Sequence, residues 1–392
     1  MVIEGENVVE VSDQALQVDG ALAIDAGGRV VLPGLIDAHV HVVAASHDLM
    51  SLALQPPSLV GAQSSHILRE MIQRGFTTVR DAAGADFGLR EAGERGLYEG
   101  PRLFVAGRPI SQTGGHADMR PQGVQSRDMF CTCAGLGLAG AIADGVGEVR
   151  RAVREQVRNG ANQIKIMAGG GVSSPNDPLE GTQYSMEELR AAVEEAEAAN
   201  LYAMAHAYSP RAVTRAVQAG VRSIEHGNLI DEATARVMKT HGAYLVPTLS
   251  TYAALAEEGQ RLGWSPAMLD KLRMVHDKGL QAVRIARAEG VPVVFGTDLL
   301  GFMQPRQSGE FGLRAQVVPA LELLQSATHT AARLMGQEGR IGQLVGGAFA
   351  DLLIVDAQDL PQTLAAVGDP EIGLLLVMKG GRVFTNQLAA SM

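Results

Sequence analysis

From about residue 76 onward, short apolar runs alternate with longer amphipathic ones. T-T-V-R-D, R-L-F-V-A-G, Q-I-K-I-M, Y-A-M-A-H, R-S-I-E-H, Y-L-V-P-T and V-V-F-G-T have the length and β-branched content of buried strands. Between several of them lie runs with helical period, such as M-E-E-L-R-A-A-V-E-E-A-E-A-A and S-P-R-A-V-T-R-A-V-Q-A. With L-I-D-A-H-V-H as the first, the predicted strands number eight, the count of a (β/α)8 barrel. The expectation is an α/β fold with a TIM-like barrel over residues 34–339. Residues 1–33 and 340–392 read differently, as strands such as G-R-V-V-L-P and A-D-L-L-I-V-D separated by Gly-rich turns. Two β-rich ends far apart in sequence most simply pair into one small β-sandwich domain. The Gly-rich stretch 111–147, between the third and fourth strands, is expected to be an active-site loop.

At 392 residues and 46% hydrophobic content the chain can bury one large core and a small companion domain. Its net charge of −10, without a basic cluster, lacks the phosphate-neutralising footprint of a nucleic-acid binder. No apolar run approaches the roughly 18 residues that span a bilayer. The acidic start, M-V-I-E-G-E-N, is unlike a signal peptide. Cys131 and Cys133, one residue apart, suit neither a disulfide nor a zinc site and read as loop thiols. A soluble, cytoplasmic protein is the expectation.

Protonatable side chains mark the apolar runs. His39 and His41 share one face of the first strand, because residues i and i+2 of a strand point the same way. Lys165 interrupts Q-I-K-I-M, His206 and His226 close two later runs, and Asp298 follows V-V-F-G-T. Neutral imidazoles and carboxylates are the usual donors to zinc-like divalent ions. An ammonium buried as Lys165 would be costly, and a buried Lys normally has its pKa lowered. The neutral amine can take up carbon dioxide to form a carbamate, a carboxylate on a long stem able to bridge two cations.

In these residues, and in the motifs P-G-L-I-D-A-H-V-H, G-F-T-T-V-R-D, S-Q-T-G-G-H-A-D, F-G-T-D and G-G-A-F-A-D-L-L-I-V-D, the chain resembles the amidohydrolase superfamily. Within it, the resemblance is to the binuclear branch of prolidase-like and N-acyl-amino-acid carboxypeptidases, with ochratoxin-hydrolysing amidohydrolases as near relatives. It covers nearly the whole chain, although the family usually has about two more strands before this segment begins. It implies two divalent ions, most simply Zn2+, one held by His39, His41 and Asp298, the other by His206 and His226, with carbamylated Lys165 and a hydroxide bridging them. The implied reaction is cleavage of an amide whose leaving group is an α-amino acid, as in Xaa-Pro dipeptides or N-acyl amino acids. Asp298 would transfer the proton, and His116, in T-G-G-H-A-D, would polarise the carbonyl. Tyr208, two residues after His206, could donate its hydroxyl to substrate. Homo-oligomers are frequent in such relatives.

Other readings carry less. Deaminases of the superfamily place a Glu in His-x-x-Glu, whereas His206 is followed by A-Y-S-P. Lactone or phosphotriester hydrolysis would use the same ligands, and a metal-free barrel serving as an interaction scaffold would have lost some of them. G-L-G-L-A-G (135–140) fits a dinucleotide fingerprint without the βαβ context it needs. The triplet Gly169, Gly170 and Gly171 lacks the Lys-Ser/Thr of a phosphate loop and is expected to let the backbone turn close to the metals. His47, His66, His241, His276 and His329 fall in helical or loop contexts and carry no assigned role.

Overall fold

The computed structural model describes residues 1–121, 123–125, 137–174 and 177–388. In chain order its strands are β1 (Val2–Glu4), β2 (Asn7–Glu10), β3 (Val30–Pro33), β4 (Leu35–Val40), β5 (Phe76–Asp81), β6 (Arg102–Phe104), β7 (Ile110–Ser111), β8 (Ala141–Ile142), β9 (Ile164–Met167), β10 (Ala203–Ala207), β11 (Ser223–His226), β12 (Tyr244–Val246), β13 (Leu352–Val355), β14 (Leu374–Lys379) and β15 (Arg382–Asn386). Strands β4, β5, β9, β10 and β11 are buried along their whole length, which is why they read as apolar runs rather than alternating ones. They form two parallel sheets, β4-β5-β6 and β12-β11-β10-β9-β7-β8.

The helices between them start where the sequence supplies caps. Ser185 and Glu188 make a reciprocal capping box for Met186–Ala198, and Ser209 caps Pro210–Gln218 with proline at the first turn. Leu189, Ala192, Val193 and Ala196, at helical spacing, face the core that also holds Ile164, Ala205 and Ile224 from the sheet. Parallel strands need such crossovers, and each returns the chain to the same end of the sheet.

Individual hydrogen bonds join the two parallel sheets. On one side the Asn162 amide donates to the Val105 carbonyl (2.7 Å), and the Val105 amide donates to Asn162 Oδ1 (2.9 Å). On the other, segment 292–298 lies between β12 and β4: Val293 bridges Leu245, and the Ala38 amide donates to the Phe295 carbonyl (2.9 Å). That segment contains the expected eighth strand, V-V-F-G-T, which does not form a ladder. The ladder to β4 is interrupted because the Phe295 and Ile36 amides donate instead to the Ser326 and Ala327 carbonyls (3.0 and 2.7 Å), and Gly296 lets the chain pass close to the site, where a Cβ would lie 2.4 Å from Val246 and 3.0 Å from His39 Cβ. Strands β7 and β8 were not expected; they pair with each other and so tie together the ends of the 111–147 stretch. Its middle, including Cys131, Cys133 and the start of G-L-G-L-A-G, lies outside the described residues.

The chain ends meet. β3 pairs antiparallel with β13 in the sheet β15-β14-β13-β3, and the β1-β2 hairpin is tied on by the Val8 amide, which donates to the Ala348 carbonyl (2.9 Å). Val8, Leu352, Ile354, Leu376 and Met378 share one core beneath the hairpin.

Candidate metal centre and its cavity

The marked side chains converge at the carboxyl end of the parallel strands. The register pairs Lys165 with Met204 and Met204 with Ser223; one step on, Met167 pairs with His206 and His206 with Glu225. Laterally paired residues of parallel strands point to the same face, so Lys165, His206, Ser223 and Glu225 form successive layers of one interior. Alternation would then turn His226 away. Instead His226 has a left-handed φ of 78°, and Asp298 one of 55°. Both residues leave the strand conformation at the point where their side chains must reach the centre, and such strain persists only where the surroundings enforce it.

Each strand imidazole has one nitrogen engaged by the protein, which directs the other. His39 Nδ1 lies 2.7 Å from Glu225 Oε2, and His41 Nδ1 lies 3.0 Å from the Ala83 carbonyl oxygen. His226 Nδ1 lies 2.8 Å from both Thr248 Oγ1 and Tyr252 Oη. His206 reverses the pattern, with Nε2 at 3.1 Å from the Gly170 carbonyl oxygen. Two of the remaining nitrogens face Asp298: His41 Nε2 is 3.1 Å and His39 Nε2 3.5 Å from Asp298 Oδ1, whereas in His226 it is Nδ1 that lies 3.9 Å from Asp298 Oδ2. Outer partners of this kind fix tautomer and ring direction in metal-binding histidines.

Donor atoms of His39, His226 and Asp298 all lie within 4.8 Å of one another, a grouping that could hold a metal ion. His39 Nε2 is buried and has no hydrogen-bond partner, an orphan that a cation would satisfy. His206 extends the group, its ring centroid 4.5 Å from that of His226. The residues present therefore fit divalent ions.

Electrostatics favour the neutral imidazole at His39, His206 and His226, whereas at His41 burial is outweighed by the hydrogen bond and charge of Asp298, which raise the ring above the usual histidine value. Burial pushes His226 down to about 3 and lowers His39 and His206 well below the usual histidine value. Lys165 is 2% exposed, and burial lowers its amine to about 8. Burial alone would raise the Asp298 carboxyl, but the facing imidazoles, His39 first, hold it below the usual carboxylate range. Beneath the cluster, Arg80 donates to Glu225 Oε1 (2.9 Å), to the Ala38 carbonyl (2.6 Å) and to Ser223 Oγ (3.2 Å). Glu225 thus couples the guanidinium to His39.

A cavity of about 560 Å³ opens above these residues. His116 stands in its wall, its ring stacked on His206 at 4.2 Å between centroids. Tyr208 is buried there too, but its hydroxyl lies 2.8 Å from that of Tyr252 rather than free. His47, given no role from sequence, also lines the cavity, along with Leu255, Trp264 and Leu300. The Gly triplet turns close to the site as expected, with a specific steric cause: a Cβ at Gly171 would lie 1.8 Å from His116 Cε1.

Residues 30–384 match the amidohydrolase family. The chain belongs to that family. It is 34% identical over 369 residues to ochratoxinase of Aspergillus niger, a match covering 91% of this chain and 75% of that one. A crystal structure of an amidohydrolase superposes with a TM-score of 0.96 at 48% identity, covering 99% of this chain and 94% of the other. A prolidase crystallised with N-methylphosphonate-L-proline superposes at 0.94, also 48% identical, over 98% and 94% of the two chains. The family binds divalent metals in general, and this amidohydrolase brings together the donors to do so. Among the described residues no helix is long and apolar enough to cross a membrane.

Sequence reasoning missed Glu225, Arg80, Thr248, Tyr252 and Asp177, whose carboxylate lies 3.1 Å from His116 Nδ1. Arg80 and Glu225 carried a usable signal, since each is a charge inside an apolar strand. Tyr252, on helix Leu249–Glu258, carried none.

Proposed function

We propose that this amidohydrolase cleaves the amide bond of Xaa-Pro-type dipeptides or N-acyl amino acids, ochratoxin-like amides among them. The observation that carries the reading is the convergence of His39, His41, Lys165, His206, His226 and Asp298 at the floor of one cavity. Likeness to a prolidase that binds a prolyl phosphonate supports the substrate class. The two parallel sheets are read as staves of one (β/α)8 barrel over 34–339, and residues 1–33 with 340–392 as its β-sandwich companion.

His39, His41 and Asp298 would hold one divalent ion, His206 and His226 a second, most simply both Zn2+. Lys165 would bridge as a carbamate, its neutral amine adding to carbon dioxide and releasing one proton. When bound, such a pair supplies Lewis acidity toward a carbonyl and lowers the pKa of water. Asp298 accepts the proton of the attacking water and delivers it to the leaving nitrogen. His116 donates through Nε2–H to the carbonyl oxygen as charge develops on it, which requires the doubly protonated ring because Nδ1–H faces the Asp177 carboxylate, and Tyr208 contacts the substrate near that point.

A panel of Xaa-Pro dipeptides, N-acyl amino acids, lactones and phosphotriesters, assayed after chelation and reloading with defined metal, tests the reading. Amides with a free carboxylate should be preferred, and their methyl esters should lose about tenfold in kcat/KM for each ~1.4 kcal/mol of lost contact. Turnover of lactones or phosphotriesters alone would refute the amide reading. Failure to bind metal would leave a scaffold.

A further inference from the structure

His116 is held more closely than a residue on a loop need be. One face of its ring stacks on His206 with an interplanar angle of 17°, and Gly171 packs so near that a Cβ there would overlap it. Its main-chain amide donates to Gln183 Oε1 (3.1 Å). Its edge is fixed by Asp177, whose Oδ2 lies 3.1 Å from Nδ1. Asp177 is itself buried.

The loop that carries Asp177 is pinned from the opposite side. Lys271, on helix Pro266–Ala288, directs its ammonium at three main-chain carbonyls, those of Gly171 (3.1 Å), Ser174 (2.8 Å) and Asp177 (2.5 Å). An ammonium has three N–H donors, and here all three are used on one short loop. One side chain from a distant helix therefore ties down both the glycine under the His116 ring and the carboxylate at its edge. An imidazole whose Nδ1 is engaged by a carboxylate has a fixed ring direction and presents Nε2.

We propose that Asp177 is the positioning residue of His116, and that Lys271 is the tether that keeps the Asp177 loop in register with it. This rests on the proposed contact of His116 with the substrate carbonyl. A misplacement of about 1 Å near the reacting atoms can cost about a hundredfold in rate. Losing the Asp177 contact is therefore expected to lower kcat by about ten- to a hundredfold, with little change in KM, because the contact serves the developing charge rather than ground-state binding.

The test uses the zinc-loaded, full-length enzyme. Asp177→Ala should show that fall in kcat with unchanged metal content. Asp177→Asn keeps a partner at Nδ1, and its amide N–H can donate there and leave Nε2–H as the donor toward substrate, so it should recover most of the loss. Lys271→Met should act in the same direction. In a His116→Ala background, Asp177→Ala should have no further effect. A crystal structure of zinc-loaded Asp177→Ala should show the His116 ring turned from its present direction, a readout independent of turnover. Equal losses in both backgrounds, no recovery in Asp177→Asn, or an unmoved His116 ring would overturn the proposal. If the wild-type enzyme cleaves no amide, the functional reading fails while the ring position in Asp177→Ala still decides the positioning role.

Discussion

Lys165 offers a test that needs no substrate. Burial lowers its amine from 10.5 to about 8, so the folded protein releases this proton more readily than the unfolded chain does. Below pH 8 both states carry the charge and the folded state bears its desolvation. Between pH 8 and 10.5 the unfolded chain still binds the proton while the folded one has lost it, so stability rises with pH across that window. For those two pKa values the linked cost of the lysine is about 3 kcal/mol at pH 7 and about 1 kcal/mol at pH 9.5. Lys165→Met keeps the volume and removes the charge. In metal-stripped, bicarbonate-free protein it should be the more stable form at pH 7 by urea unfolding. The gap over wild type should shrink by about 2 kcal/mol at pH 9.5. Groups remote from Lys165 titrate equally in the two proteins and cancel in the difference, and His39, His206 and His226, which burial and its charge push down, are neutral at both pH values. A wild-type protein more stable than Lys165→Met at pH 7, or a gap independent of pH, would refute the argument that burial destabilises this ammonium.

Two further outcomes follow from the same cluster. Asp298→Asn should lower turnover by about 10²–10⁴, the range for loss of a general acid–base group, and full activity at full metal occupancy would show that the proton travels elsewhere. Glu225→Gln leaves the fully buried Arg80 without its counter-charge and should destabilise the protein by about 3–5 kcal/mol while weakening metal uptake through His39; urea midpoints and metal content unchanged from wild type would contradict this.

How much of the site the sequence revealed depends on how far each side chain's direction is set by strand period alone. His39 and His41 were legible as a pair because two-residue alternation holds along β4, and their rings do lie 5.3 Å apart. Lys165 was legible because an amine inside the apolar run Q-I-K-I-M has nowhere polar to place its charge. Glu225 and Arg80 bore the same mark, yet their partnership spans 145 residues and appears only once the strands are assembled. His226 was legible from its place at the end of an apolar run, where β11 does end, but its inward direction was not. Its neighbour Glu225 takes the inward position, and a left-handed turn of the backbone redirects the histidine. Asp298 is redirected the same way, on a segment whose β-branched run predicts a strand but whose Phe295 amide goes to the Ser326 carbonyl rather than to β4. Asp177 and Lys271 depend on how a loop packs against a distant helix, and no local pattern encodes that. The strands' carboxyl ends are where periodicity stops determining side-chain direction. Residues there are freed to converge from different strands on one point, so the positions that a donor cluster needs most are those that pattern reading constrains least.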